Sequence, residues 1–359
     1  MSINYSALET APRLLVEVPL KPLQGDRFQP TGFADLGAAR YTLHNGTEML
    51  LIESAQSVAN RMELACWDEA VDDLIPELKG LPYILVKKPD GSNLTNSILE
   101  AHRINSPYIL EGKNKSVFDQ IKKDLVPHVA GEKELDEDKS VFNQIKKDAV
   151  ALEYGPVKLT DLARLVFRYD ANAVLHGVFL AKKELAGGRL RMTRCLSGFI
   201  EAYNVRIAES GGVKNDRVDP SGDTKTGFGN VPFHRTEFTA EKITAYFNLD
   251  LALLRAYGLG ENAMQLLTAL ALFKIQRFLS TGMRLRTACD LALADRVRVT
   301  NPTNFEIPGE TDLLAECKAK IESCKPFFAD PAVTEVIWEP SKKKSKEKEE
   351  DTENNAEDE

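Results

Sequence analysis

Apolar and polar positions alternate from Arg13 to Lys21, where Leu14, Val16, Val18 and Leu20 interleave with Glu17 and Lys21. That period of two predicts a half-buried strand. Pro22 to Gly37, PLQGDRFQPTGFADLG, is rich in proline and glycine and reads as a long loop. Met49 to Ile52 is a short apolar run. From Glu53 to Trp67 the period lengthens to that of a helix. Ala55, Val58, Ala59, Met62, Ala65 and Cys66 fall on one side, and Glu53, Ser57, Asn60 and Arg61 on the other. Later segments predict strands over Ala173 to Ala181, Arg189 to Leu196 and Phe199 to Ala208. A long charged, glycine-bearing loop follows, then helices over Thr239 to Leu254 and Asn262 to Thr281. Arg296 to Thr300 and Asn304 to Ile307 are expected to close the fold as strands.

Two segments stand apart. Leu78 to Ala151 reads as an insertion and repeats itself: SVFDQIKKD at Ser116 to Asp124 returns as SVFNQIKKD at Ser140 to Asp148. Two copies are too few for a solenoid, so the expectation is a local duplication forming two short amphipathic helices. The tail from Ser341 has five lysines and eight acids and lacks large apolar residues, which predicts disorder.

The chain has 359 residues, enough for one large domain with insertions or for two. No run approaches the roughly 20 apolar residues of a membrane helix. The first residues lack the pattern of a signal peptide, so a cytoplasmic protein without a membrane partner is expected. Cys66, Cys195, Cys289, Cys317 and Cys324 are scattered and make no metal-binding spacing. They read as reduced, mostly buried thiols, and no metal or cofactor is expected. The net charge of −8 argues against a nucleic-acid partner when taken as an average. Its distribution does not: Lys182 to Arg235 carries ten basic and six acidic residues, and Lys274 to Arg298 six and two. A local cationic track is what phosphate contact needs.

Several groups could supply that track, each with a plainer alternative. Lys21, Gln24, Arg27 and Gln29 lie on the first loop, either as phosphate and ribose donors or as solvated side chains. Ser57, Asn60 and Arg61 form a helix face that is either an RNA contact or merely hydrated. Arg189, Arg191 and Arg194 mark a strand able to contact phosphates or stack on bases, and equally able to stand free in solvent. Lys214, Arg217, Lys225, Phe228, His234 and Arg235 sit on the long loop, a grip for a single strand or an unstructured insertion. Arg284 and Arg286 follow a buried helix, and pairing with Asp290 competes with RNA contact.

Catalytic patterns are missing. His44, His102, His128, His176 and His234 have no paired spacing, and neither a nucleophile elbow nor a phosphate-loop lysine occurs. Asp161, Asp170 and Glu201 are isolated acids.

Five stretches together resemble the large backbone subunit, the Cas-seven group, of type I-G (formerly I-U) CRISPR complexes in the repeat-associated RNA-binding superfamily. They are KPLQGDRFQPTGFADLGAARY from Lys21, LLIESAQSVANRMELACWD from Leu50, SILEAHRINSPYI from Ser97, FHRTEFTAEKITAYFNLDLALLRAYGL from Phe233 and LALFKIQRFLSTGMRLRTACDL from Leu270. The resemblance implies an α+β fold: a modified RRM or ferredoxin-like palm over residues 1–340 with helical and loop insertions. A finger-like insertion is expected at about 78–155, a thumb-like loop at about 209–235 and a tail at 341–359. It further implies a non-catalytic subunit of a Cascade-type antiviral ribonucleoprotein. Such a subunit polymerises with further copies of itself along a CRISPR RNA, beside other Cascade subunits, and presents the guide to a target DNA strand. On that basis Lys21, Gln24, Arg27, Ser57, Asn60 and Arg61 become guide contacts. The alternative within the superfamily is an RNA endonuclease that processes the guide or cuts target RNA. For such an enzyme His102 beside Arg103 and Tyr108, or Asp26 and Asp35, are the residues to consider. A protein-only scaffold is the third reading, favoured by the acidic average.

Overall fold

The structure is a computed structural model that describes residues 3–33, 35–111, 158–182 and 188–339. The duplicated SVFxQIKKD segment and the charged tail lie outside the described residues. Strands of three or more residues are β1 (Arg13–Pro22), β2 (Arg40–Thr42), β3 (Glu48–Glu53), β4 (Tyr83–Lys87), β5 (Asn93–Asn96), β6 (Val178–Leu180), β7 (Leu190–Met192), β8 (Leu196–Lys214), β9 (Val231–Asp250), β10 (Arg284–Arg286), β11 (Cys289–Leu293), β12 (Arg298–Asn301) and β13 (Val333–Ile337). The longer helices are α1 (Ala55–Leu64), α2 (Leu159–Tyr169), α3 (Ala171–His176), α4 (Leu251–Ala256), α5 (Glu261–Ser280) and α6 (Glu310–Cys324).

An eight-stranded sheet runs β10-β11-β1-β9-β8-β3-β2, with β12 also paired to β1, and every pairing in it is antiparallel. The fold is thus mixed α+β around a large antiparallel sheet. Its four central neighbours are β11, β1, β9 and β8, while α1 lies between β1 and β8 in sequence and α5 between β9 and β11.

Alternation decides which side is core. Leu14, Val16, Val18 and Leu20 of β1 are buried together with Ile243, Ala245, Phe247 and Leu249 of β9. Each such side chain contributes roughly 1.5–3 kcal/mol by leaving water. Gly198 on β8 sits opposite Phe247, and a Cβ there would stand 2.6 Å from the ring. The absent side chain makes room for the aromatic. Helix α5 covers this face, its Phe278 meeting Phe247 edge-on at 6.0 Å between centroids. It is buried nearly all round, and α1 packs on it with Val58, Ala59 and Met62. Ser54 caps α1 by accepting from the Ser57 N–H at 3.3 Å.

The first strand, the first helix and the buried helix stand where the pattern places them. Other expectations are corrected. Thr239 to Leu254 is not a helix: β9 continues to Asp250, and only Leu251–Ala256 is helical. Ala240, Glu241 and Lys242 favour helix locally, but burial of alternate residues between β1 and β8 overrides them. Ala173 to Ala181 splits into α3 and β6, because Gly177 turns the chain at φ +78°, where a Cβ would meet the Met192 carbonyl at 2.8 Å. Asn304 to Ile307 forms no strand. The loop expected after Ala208 is largely a hairpin, since β8 runs to Lys214 and β9 starts at Val231. Gly211 and Gly212 interrupt the apolar alternation there and hide it. Within the segment read as an insertion, β4 is integrated into the fold through parallel pairing with β13.

Candidate nucleic-acid interface

Beyond Val205 the β8–β9 hairpin leaves the sheet as an arm. Residues 206–214 pair only with the returning strand, and at about 3.3 Å per residue they extend roughly 30 Å. The tip is fixed by Asp216, whose carboxylate accepts from the backbone N–H groups of Val218 (2.8 Å), Asp219 (3.0 Å) and Gly229 (3.0 Å). Those bonds hold its pKa below the ordinary carboxylate value. Lys214, Arg217, Lys225 and Phe228 are exposed at or near the tip. Along the arm His234 meets Glu209 at 2.6 Å, and Arg235 lies 5.7 Å over the Phe233 ring.

The loop after β1 is sewn against the base of this arm. Phe28 and Phe238 exchange both backbone hydrogen bonds at 2.9 Å. The Gln29 N–H donates to the Ala288 carbonyl at 2.8 Å, and that of Thr31 to Ile52 at 3.0 Å. Gly32–Phe33 then pairs with Gly37–Ala38, and a Cβ on Gly32 would stand 2.6 Å from the Gly37 oxygen. Loop and arm enclose a cleft of about 560 Å³. Arg40 and Arg286 supply its positive charge, Gln29, Thr31 and Thr236 its polar groups, and Ile207 and Phe238 its apolar wall. Among the described residues, none of the lining side chains is acidic.

A buried carboxylate stands behind the cleft. Glu53, only 1% exposed, pairs with the Arg286 guanidinium, accepts from the Ser57 hydroxyl and lies 3.4 Å from Arg61 Nε. Arg61 also donates to the carbonyls of Arg284 (3.3 Å) and Leu285, and Arg286 to that of Gln29 (3.2 Å). Burial lowers the pKa of both arginines. This cluster ties α1 to β10 and fixes the cleft floor.

The residues singled out from sequence are therefore divided. Gln29 and Arg286 share the cleft. Gln24 and Arg27 border a smaller one of about 290 Å³ that also holds Asp26, Glu237 and Asp290, with Arg27 3.3 Å from Glu237. Lys21 is exposed on β1. Ser57 and Arg61 face Glu53, and the Asn60 oxygen accepts from Gln56 at 2.9 Å. Arg194 donates to the Ala55 carbonyl (2.9 Å) and Gln56 (2.7 Å) at the start of α1. Arg284 is exposed, 3.8 Å from Asp290. Arg189 and Arg191 stand on the β6–β7 hairpin, and Lys225 and Arg235 on the arm. Sequence reasoning misses Arg40, Thr31 and Thr236. Arg40 ends the glycine-rich stretch, but only the fold carries it to the arm.

A second polar cluster lies deep in the core. Lys274 Nζ is 2.8 Å from His176 Nε2, and both residues are buried. Burial, then Lys274, drives the His176 pKa well below its ordinary value. Nearby Glu63 receives Arg103 through two bonds of 2.6 and 2.8 Å. Asp170 caps α3 and is raised to about 6, chiefly by burial. A raised acid pKa means that the folded state holds the proton more tightly. Its favourable contribution is complete below about 3.8 and is lost as pH rises through 6. Asp170→Asn, which keeps the cap, is therefore expected to gain about 2 kcal/mol at pH 7.5 and nothing at pH 3.5. Denaturant unfolding at the two pH values checks this, and an equal effect at both would refute it. Among the described residues no group of three or more His, Cys, Asp or Glu is placed to hold a metal ion, and no helix is long and apolar enough to cross a membrane.

Among known proteins, a chain of a solved CRISPR RNA-guided surveillance complex in a pre-nicking state is 16% identical, with 80% of this chain and 77% of that one covered and a TM-score of 0.38. Csc2 of Thermofilum pendens is 10% identical, with 90% and 80% covered and a TM-score of 0.29. No curated protein matches. The family described as CRISPR-associated protein GSU0053 matches residues 14–207, more than half of the sequence. By that match the chain belongs to the CRISPR-associated protein GSU0053 family.

Proposed function

We propose that this protein is a non-catalytic, CRISPR RNA-binding backbone subunit of a type I-G, Cascade-type complex. Several copies line up along one guide and present it for pairing with target DNA. The observation that carries the reading is the cleft between the loop after β1 and the base of the arm, with two arginines and no acid among its described lining residues. Arg40 and Arg286 meet phosphates there, while Gln29, Thr31 and Thr236 offer hydrogen bonds to riboses. Membership of a CRISPR-associated family supports the choice of guide RNA over other polynucleotides.

The remaining parts follow the same reading. The neighbour order β11-β1-β9-β8, fourth, first, third and second in the chain, matches a βαββαβ palm with α1 and α5 as its two helices. The arm takes the place of the thumb. Its five cations, Arg206, Lys214, Arg217, Lys225 and Arg235, are balanced by Glu209, Asp216, Asp219, Asp223 and Glu237. It therefore acts by shape and by its exposed apolar groups more than by charge. The guide's own bases read the target, so the protein needs no base-specific contacts.

Co-expression with a CRISPR RNA tests the proposal. The purified particle is expected to hold intact RNA protected from added nuclease, with affinity for spacer-length RNA that falls steeply with salt. Particles free of RNA would sink the reading. Cleavage of repeat or target RNA, abolished by a single substitution, would replace it with the endonuclease alternative.

A further inference from the structure

Two surfaces that the cleft does not use lie on opposite sides of the main sheet. One is the outward side of the β6–β7 hairpin, on the helical side. Val178, Leu180 and Met192 are buried beneath it, so Phe179, Arg189 and Arg191 stand outward. Phe179 is 43% exposed, with the Arg191 guanidinium 5.1 Å from its ring centre. Among the described residues neither arginine has an ion-pair partner.

The other is the sheet face turned away from α1 and α5. Phe199 and Tyr246 stack there at 5.1 Å, and Tyr41 donates to Glu201 at 2.9 Å. Tyr41 and Tyr203 are 42% and 37% exposed. Glu17 and Glu201 both bear on the Tyr246 hydroxyl, so two carboxylates sit at the centre of an aromatic patch. Cations flank it: Arg298 lies opposite Glu17 in the strand register and is held by Asp295, Lys242 lies opposite Tyr203, and Arg13 is held by Asp250. Carboxylates at the centre make this a poor seat for phosphates. An aromatic and acidic face does suit an aromatic and arginine-bearing protrusion, the composition of interface hot spots.

We infer that the Phe179, Arg189 and Arg191 surface of one copy docks on the Glu17, Tyr41, Glu201 and Tyr246 face of the next. Lying on opposite sides of the sheet, the two cannot meet within one chain. A contact between unlike patches propagates head to tail instead of closing as a two-fold pair. The inference rests on the reading that several copies assemble on one guide, and it assigns Arg189 and Arg191 to a protein contact in place of an RNA contact.

Charge exchange tests it on the full chain, by sedimentation with and without spacer-length RNA. Arg189→Glu with Arg191→Glu, and separately Glu17→Arg with Glu201→Arg, should each weaken association between copies by about a hundredfold or more. An equimolar mixture of the two variants should restore assembly, because each then offers the other an opposite charge at every junction. Phe179→Ala leaves the charges alone and should weaken association about tenfold. Assembly of either charge variant like the parent overturns the inference. So does failure of the mixture while both variants keep the parent circular dichroism. RNA affinity lost from the arginine variant at concentrations where single copies bind would return those residues to RNA, again against the inference. A parent chain that binds no RNA yet associates through this charge pair would sink the guide-binding reading and leave this one standing.

Discussion

Glu53→Ala is expected to destabilise the protein by about 3 kcal/mol, the order found when one partner of a buried ion pair is removed. The carboxylate is 1% exposed, while Arg286 and Arg61 are 23% and 31% exposed, so the variant strands two half-buried cations. Thermal unfolding should begin on the order of 5 °C earlier. The loss should also reach the cleft. Arg286 is a wall residue held in place by Glu53 and the Gln29 carbonyl, and with the carboxylate gone its head is free to swing. RNA affinity measured well below the unfolding temperature should therefore fall too. A variant that melts with the parent would show that the carboxylate does not hold α1 to β10. One that melts early but binds RNA normally would remove Arg286 from the site.

Arg40→Glu should produce the opposite signature, lost affinity with stability unchanged. Arg40 is exposed on the edge strand β2, so its replacement disturbs no core contact. Placing an anion in a cleft whose described lining holds no acid should weaken binding of spacer-length RNA by roughly tenfold to a hundredfold at low salt. The milder Arg40→Ala removes one phosphate contact and should flatten the logarithmic salt dependence by about 0.7, the single-strand value per phosphate. Lys79→Ala is the control, since Lys79 pairs with Asp73 away from the cleft and should leave binding alone. Equal binding by Arg40→Glu and the parent would put the guide elsewhere.

The sequence is most informative where one period dominates. Leu14 to Leu20 alternate cleanly, and α5 is apolar over almost its whole length, so both elements are legible in the residues alone. Where local preference and tertiary burial disagree, local preference misleads. Lys242 and Glu241 look helical, yet β9 is fixed by partners from β1 and β8 that are distant in sequence. The candidate site divides in the same way. Side-chain type marks Gln29 and Arg286, while the joining of Arg40 to Thr236 depends on a hairpin nearly 200 residues away, which no local pattern encodes. Type also overstates function: Arg61 and Arg194 are arginines spent largely on carbonyls and a carboxylate inside the fold.

The five cysteines are all buried and unpaired. Burial raises every one of these thiols, Cys195 to about 12 and Cys289 and Cys324 to about 11. At neutral pH they present almost no thiolate to solvent and should resist alkylating reagents. A new cysteine at Lys225, on the tip of the arm, would then be the most reactive thiol in the chain. A fluorophore placed there would report whether the arm's surroundings change when spacer-length RNA is added, without first stripping the native cysteines from the core.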